Sequence, residues 1–178
     1  RDDVESRGLG DVYKRQLYAG DLTYAYLDEL AGLYSDYPGY NTNAVFNQSI
    51  VFDYENMFLS KKNGIYSAMY NVIANINNFL EYVDKNKDVL VTERYYETMK
   101  GEALGLRAFL HFDLLRMFGP IYKEHPASKA IPYRTTFDKD ATPVLSANEV
   151  VDAILKDLNA AEKLLKESDP LHLSLIHI

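Results

Sequence analysis

The sequence of 178 residues contains no cysteine, no tryptophan and no long apolar run. Without cysteine the chain can form neither disulfide bonds nor thiolate metal sites. A helix that crosses a membrane needs about 18 consecutive apolar residues, and no apolar stretch in this sequence reaches that length. The sequence also lacks a cluster of lysine and arginine, and its formal net charge is −7 at pH 7. Such an acidic chain predicts that nucleic acid is not a partner.

Tyrosine is the dominant aromatic residue and occurs 15 times. Its ring combines a flat apolar face with a polar hydroxyl group, so it suits contact with a sugar or a peptide. The same properties suit packing between helices, and tyrosine content alone favours packing. The length of the chain is typical of one domain or part of one.

Both ends of the sequence resemble sequencing adapters rather than protein. Residues 11–16 (DVYKRQ) match the translation of a transposon end used in sequencing libraries, and residues 173–178 (LSLIHI) match the same end on the opposite strand. We therefore expect residues 1–16 and 173–178 to be non-native and without function. Residues 17–172 are then expected to be an internal fragment of a longer reading frame.

Residues 99–121 (MKGEALGLRAFLHFDLLRMFGPI) predict a long amphipathic helix with a defined end. Apolar residues recur there at spacings of three and four, which places them on one helical face: Leu104, Ala108, Phe112, Leu115 and Phe118. Gly119 is predicted to adopt the left-handed conformation that ends a helix, and Pro120 prevents continuation.

This helix resembles the signature helix of the SusD/RagB family, lipid-anchored nutrient-binding proteins of the outer membrane in Bacteroidetes-type bacteria. The family pattern is close to G-E-A-x-x-L-R-A-x-x-[YH]-F-x-L-[LV]-R-x-[FY]-G, with a proline soon after it. The positions that match are Gly101, Glu102, Ala103, Leu106, Arg107, Ala108, Phe112, Leu114, Arg116, Phe118 and Gly119.

Two further helices resemble other parts of the same family. The segment from Tyr66 to Asn77 is similar to W-x-x-x-Y-x-x-I-x-x-x-N, with Tyr66 in the usual tryptophan position, Tyr70 in the tyrosine position and Asn77 at the end. A buried asparagine needs partners, so we expect Asn77 to bind the next helix. Residues 146–165 are similar to S-x-x-E-V-x-x-x-I-x-x-D-L-x-x-A-x-x-x-L, with Asp157 at the acidic position.

The predicted fold class is all-α, a tetratricopeptide-like helical-repeat superhelix seen as a partial domain. Helices are expected over residues 17–34, from about 63 to about 84, over 92–118 with Thr92 as the N-cap, and after 146. The longer loops between them fall at residues 35–54 and 121–145, with a short extended piece around residues 49–52. No clean repeat is visible, so the repeat architecture is what the resemblance implies.

The last helix opens with a predicted capping box, Ser146-x-x-Glu149. Its apolar stripe is predicted to contain Val150, Ile154, Leu158, Ala161 and Leu165. Small residues on the signature helix predict close approach of a neighbouring helix: Ala103, Gly105 and Ala108.

Catalysis has little support in the sequence. Glu102 and Asp113 lie 11 residues apart, about three helical turns, so one helix cannot bring them to the spacing of a glycosidase pair. His111 has no visible partner and is expected to be a packed or surface histidine. No HExxH-like spacing is present, and we expect no metal and no cofactor. Glu102 and Arg107 are instead predicted to form buried ion pairs, each with a neighbouring helix.

The best candidate for ligand contact is the segment DYPGYNTN at residues 36–43. Tyr37 and Tyr40 would stack on sugar rings, and Asn41 and Asn43 would bind hydroxyl groups. The alternative is an ordinary turn whose tyrosines pack on the helices.

The resemblance implies a protein that is not an enzyme and that captures oligosaccharide, or in some branches peptide, at the cell surface. The partner it implies is a TonB-dependent SusC-like transporter, and the location is the outer membrane, through a lipid anchor encoded upstream of the fragment. A helical-repeat scaffold that binds only protein is the competing interpretation. A helical glycan-degrading enzyme is a weaker alternative, since it needs a carboxylate pair elsewhere.

Overall fold

The computed structural model describes residues 54–90, 94–138 and 140–168 of the chain. In this part three helices, α1 (Tyr54–Lys85), α2 (Tyr95–Phe118) and α3 (Ala147–Ser168), account for most residues. Two short strands, β1 (Lys129–Pro132) and β2 (Val144–Ser146), lie between α2 and α3. The predominance of helix confirms the all-α prediction. The chain divides between Val72 and Ile73 into two compact units.

Helix α1 begins earlier than the sequence predicts. The predicted start lies near residue 63, but the helix runs from Tyr54 through Gly64 without a break. An exposed glycine inside a helix costs only about 1 kcal/mol relative to alanine, so longer-range packing can override it. In the first unit Tyr66 and Tyr70 are half-buried, and their ring centroids lie 4.7 Å apart.

The part of α1 in the second unit buries one face, as its spacing predicts. Residues at intervals of three and four have at most 7% of their surface exposed: Ile73, Ile76, Asn77, Leu80 and Val83. The same interval pattern leaves the opposite face of the helix in solvent.

Helix α2 ends at Phe118 as predicted, but for a different reason. Gly119 has φ −87° and ψ 172°, which is extended backbone, so the predicted left-handed conformation is wrong. The Gly119 N–H donates to the Leu115 carbonyl over 2.9 Å. A Cβ atom at this position would lie 2.5 Å from the same oxygen, so glycine is needed for close approach rather than for its φ.

The start of α2 also differs from the prediction. The helix begins at Tyr95, and its N-cap is Arg94, in the left-handed region with φ 58° and without a side-chain cap. Thr92, the predicted cap, lies outside the described residues.

Helix α2 is buried on more than one side. Leu104, Ala108 and Leu115 are buried as predicted and Phe118 is half-buried, but Phe112 is 45% exposed, so the predicted stripe is wrong at this one position. Instead the core includes Leu110, His111 and Leu114. Because α2 packs against α3 and also against β1, its buried surface is too wide for one stripe.

The segment between α2 and α3 was predicted to be irregular, and this is wrong for two short pieces. Strands β1 and β2 pair antiparallel, with Lys129 opposite Ser146 and Pro132 opposite Val144, and the register is irregular between these pairs. Ile131 in β1 is 1% exposed and packs in the core.

Helix α3 starts with the predicted capping box. The Ser146 N–H and hydroxyl donate to Glu149 Oε2 over 2.8 and 2.7 Å, and the Glu149 N–H faces Ser146 Oγ at 3.4 Å. These bonds lower the pKa of Glu149 below its ordinary value. Leu158 is 43% exposed, so its predicted place in the apolar stripe is wrong, and the adjacent Asp157 is buried instead.

Helices α2 and α3 approach closely through small residues. The predicted positions Ala103, Gly105 and Ala108 are all buried. At Gly101 an added Cβ would lie 2.7 Å from Leu165 Cγ and 2.9 Å from its Cδ2. The absence of a side chain at 101 therefore lets the C-terminal half of α3 pack directly on the α2 backbone.

Candidate functional site

Five polar side chains meet inside the second unit, and we call this set the buried polar network: Asn77, Arg107, His111, Tyr133 and Asp157. They come from α1, α2, the residue after β1, and α3, and each has at most 8% of its surface exposed. Buried polar groups are costly unless they find hydrogen-bond partners, so the contacts within this set decide what it can do.

The centre of the network is an ion pair between α2 and α3. Arg107 Nε donates to Asp157 Oδ2 over 2.7 Å, and Arg107 Nη2 donates to Asp157 Oδ1 over 2.8 Å. This bidentate geometry matches the planar guanidinium to the planar carboxylate. Burial opposes charge on Arg107, but the hydrogen bonds and charge of Asp157 outweigh it and raise the pKa of the arginine.

Tyr133 provides a third donor to the same carboxylate. Its hydroxyl group donates to Asp157 Oδ2 over 2.6 Å. Burial, and then the neighbouring carboxylate, raise the pKa of Tyr133 well above its ordinary value, so the phenol stays protonated as a donor. Asp157 thus accepts three hydrogen bonds from side chains that lie 24 and 50 residues away.

His111 is neutral, and the contacts of its two ring nitrogens identify the tautomer. The Arg134 backbone N–H donates to Nε2 over 3.1 Å, so Nε2 is the acceptor and Nδ1 carries the proton. Nδ1 then donates to the Arg107 carbonyl over 2.9 Å. Burial lowers the pKa of His111 to about 4, and the ring stacks on Tyr133 with centroids 3.9 Å apart.

Asn77 connects α1 to both α2 and the chain after β1. Its Oδ1 accepts from Arg107 Nη1 over 2.9 Å, and its Nδ2 donates to the carbonyls of Arg134 and Thr136 over 3.1 and 3.2 Å. The network therefore holds three helices and the segment 133–136 in one arrangement. Its polar atoms therefore satisfy one another, and the contacts fix the positions of these elements.

The structure brings together Asn77, Arg107 and Asp157, which the sequence had placed on three separate helices. The sequence predicts a partner for Arg107 on a neighbouring helix without naming it, and in the structure that partner is Asp157 of α3. Glu102 is exposed on α2, so the prediction that it forms a buried ion pair is wrong. It lies five residues from Arg107 and thus projects to another side of the helix.

The remaining predicted positions lie elsewhere. Phe118 and Gly119 form the end of α2, and Tyr66 and Tyr70 pack together in the first unit. The ligand-binding candidates Tyr37, Tyr40, Asn41 and Asn43 lie outside the described residues. Sequence reasoning missed Tyr133 altogether and found no partner for His111. The spacing of four between Arg107 and His111, which puts them on one face, was the available signal.

Within the described ranges, no group of three or more histidine, aspartate or glutamate residues is placed to hold a metal ion. None of the helices described there combines the length and the apolar character needed to cross a bilayer.

Comparison with known proteins identifies the family. A sequence model of SusD-like proteins, described as starch-binding and associating with the outer membrane, matches residues 10–173. The chain belongs to the SusD-like family. The SusD-like protein P38 of Formosa agariphila is 44% identical over 73 residues, which are 39% of this chain and 13% of that protein.

A solved structure supports the fold of this SusD-like chain. A SusD superfamily protein from Bacteroides thetaiotaomicron superposes with a TM-score of 0.53 at 21% identity. The match covers 56% of this chain and 22% of that protein. The matched part of the chain thus spans 13% of the length of the first relative and 22% of the length of the second. The origin of residues 1–16 and 173–178 as adapters stays a prediction.

Proposed function

We propose that this SusD-like chain is part of a non-catalytic protein that captures oligosaccharide at the outer membrane and passes it to a TonB-dependent SusC-like transporter. The observation that carries the proposal is the family match over residues 10–173, whose description names starch binding and the outer membrane. Peptide is the alternative nutrient class. Attachment by a lipid anchor and exposure at the cell surface belong to the same proposal.

The described part of the chain supports a structural, non-catalytic role for the buried polar network. The acids and bases of a hydrolase need access to substrate. In the buried polar network, by contrast, Asp157 accepts three hydrogen bonds and both nitrogens of His111 are occupied. These groups stabilise the arrangement of the helices that the network joins.

For ligand contact we propose the segment at residues 36–43. Tyr37 and Tyr40 would supply apolar faces for sugar rings, and Asn41 and Asn43 would supply amide groups for hydroxyls. This assignment rests on residue chemistry and on the family.

The test uses the full-length protein that contains this sequence. Its binding to a panel of soluble neutral polysaccharides and to mixed peptides is measured by affinity electrophoresis and calorimetry, and transporter association is measured by affinity purification from outer membranes. We expect binding to at least one glycan, loss of affinity in Tyr37→Ala and Tyr40→Ala, and co-purification of a TonB-dependent transporter. Glycan cleavage would instead support the enzyme alternative. Binding of protein alone would support the scaffold alternative.

A further inference from the structure

The solvent-facing side of α1 in the second unit carries carboxamides and aromatic rings. Phe79 is 40% exposed and Tyr82 is 61% exposed, while Asn75 is exposed and Asn78 is half-buried. Their spacings of three and four place all four within about 100° around the helix axis. We call these four residues the α1 outer face.

The polar groups of this face are free to bind a ligand. In the described part of the chain, no group makes a hydrogen bond to the side chains of Asn75 or Asn78 or to the Tyr82 hydroxyl. The contrast with the neighbouring Asn77 is direct, because its carboxamide makes three hydrogen bonds inside the network. The part of α1 in the second unit thus has one carboxamide with a structural role and two with unused donors and acceptors.

The chemistry of the face favours a neutral, hydroxyl-rich ligand. The four side chains carry no formal charge, although the chain as a whole has a net charge of −7. The nearest acidic neighbour along the helix, Glu81, is paired with Lys85. Amides, which both donate and accept, and flat rings match sugar hydroxyls and sugar faces.

We propose that the α1 outer face is a second glycan-contacting surface, in which Phe79 and Tyr82 stack on sugar rings while Asn75 and Asn78 bind hydroxyl groups. This inference rests on the proposed function, since it names further residues for the same ligand class. An extended polysaccharide is the expected occupant, because the four residues follow the helix axis over about 10 Å.

The experiment measures affinity of the full-length protein for soluble starch and for the polysaccharide panel. Phe79→Ala and Tyr82→Ala are compared with Tyr122→Ala, a control whose tyrosine is 48% exposed in the turn after α2. We expect each face variant to lose about tenfold in affinity and the control to change less than about twofold. Tyr82→Phe should retain most of the affinity because the ring remains. Thermal melting curves verify that each variant is folded.

The outcomes separate this inference from the proposed function. If wild type binds a polysaccharide and the face variants bind it equally well, the α1 outer face is not a glycan surface, and the proposed function stands. If wild type binds no glycan, both proposals fail. If the variants keep glycan affinity but no longer co-purify with a membrane protein, the face contacts a protein, and the glycan assignment is overturned.

Discussion

Removing one partner of the buried ion pair should destabilise the protein strongly. The side chains of Arg107 and Asp157 are only 9% and 11% exposed, and they bind through two hydrogen bonds. Replacing either residue leaves the other charge buried without compensation, which costs about 3–5 kcal/mol. A typical domain is stable by only about 5–15 kcal/mol, so either loss is a large fraction of the total.

A double-mutant cycle isolates the interaction itself. The variants are Arg107→Met, Asp157→Leu and the combination, and the free energy of unfolding of the full-length protein is measured in urea by circular dichroism. We expect each single variant to lose about 3–5 kcal/mol. The double variant should lose clearly less than the sum, because it leaves no unpaired charge, and coupling between contacting residues amounts to about 0.5–3 kcal/mol.

The control is Glu102→Gln, which changes an exposed charge on the same helix. We expect the free energy of unfolding to change by less than about 0.5 kcal/mol, as for most surface substitutions. If Arg107→Met unfolds at the same urea concentration as wild type, or if the losses in the cycle simply add, the pair does not hold α2 and α3 in register and the reasoning is wrong.

Two further predictions concern a titration and a close contact. The folded-state pKa of His111 is about 4, below its ordinary value of 6.5, so its stabilising contribution is complete above about pH 6.5 and is lost as the pH falls towards 4. The loss should reach about 3 kcal/mol in pH-dependent urea unfolding and should be absent in His111→Gln; an unchanged pH profile in that variant would refute the assignment. Gly101→Ala should destabilise by about 1–3 kcal/mol, because its Cβ would lie 2.7 Å from Leu165 Cγ. Gly64→Ala, where nothing lies within 4 Å, should instead stabilise the helix by up to about 1 kcal/mol, and a similar response of both variants would contradict the packing argument.

The sequence by itself determined the features that depend on neighbouring residues. The end of α2 at Phe118 follows from the glycine and proline after it, and the start of α3 follows from the Ser146 and Glu149 capping box. The family pattern predicted that Asn77 would be buried with partners, and it is. The two helix ends can be recognised locally because their interacting groups are at most four residues apart, whereas Asn77 was recognised from the family pattern.

Only the tertiary structure decided which residues of those helices are buried and which side chains they pair with. Phe112 is exposed while His111 is at the centre, and Leu158 is exposed while Asp157 is buried. Helical periodicity gives the direction in which a side chain projects, but it does not say how many elements surround the helix. For the same reason, the sequence alone identified neither Tyr133 as a member of the network nor the partner of Arg107. These contacts join residues that are 24 and 50 positions apart in the sequence. Such residues come into contact only when the helices pack together.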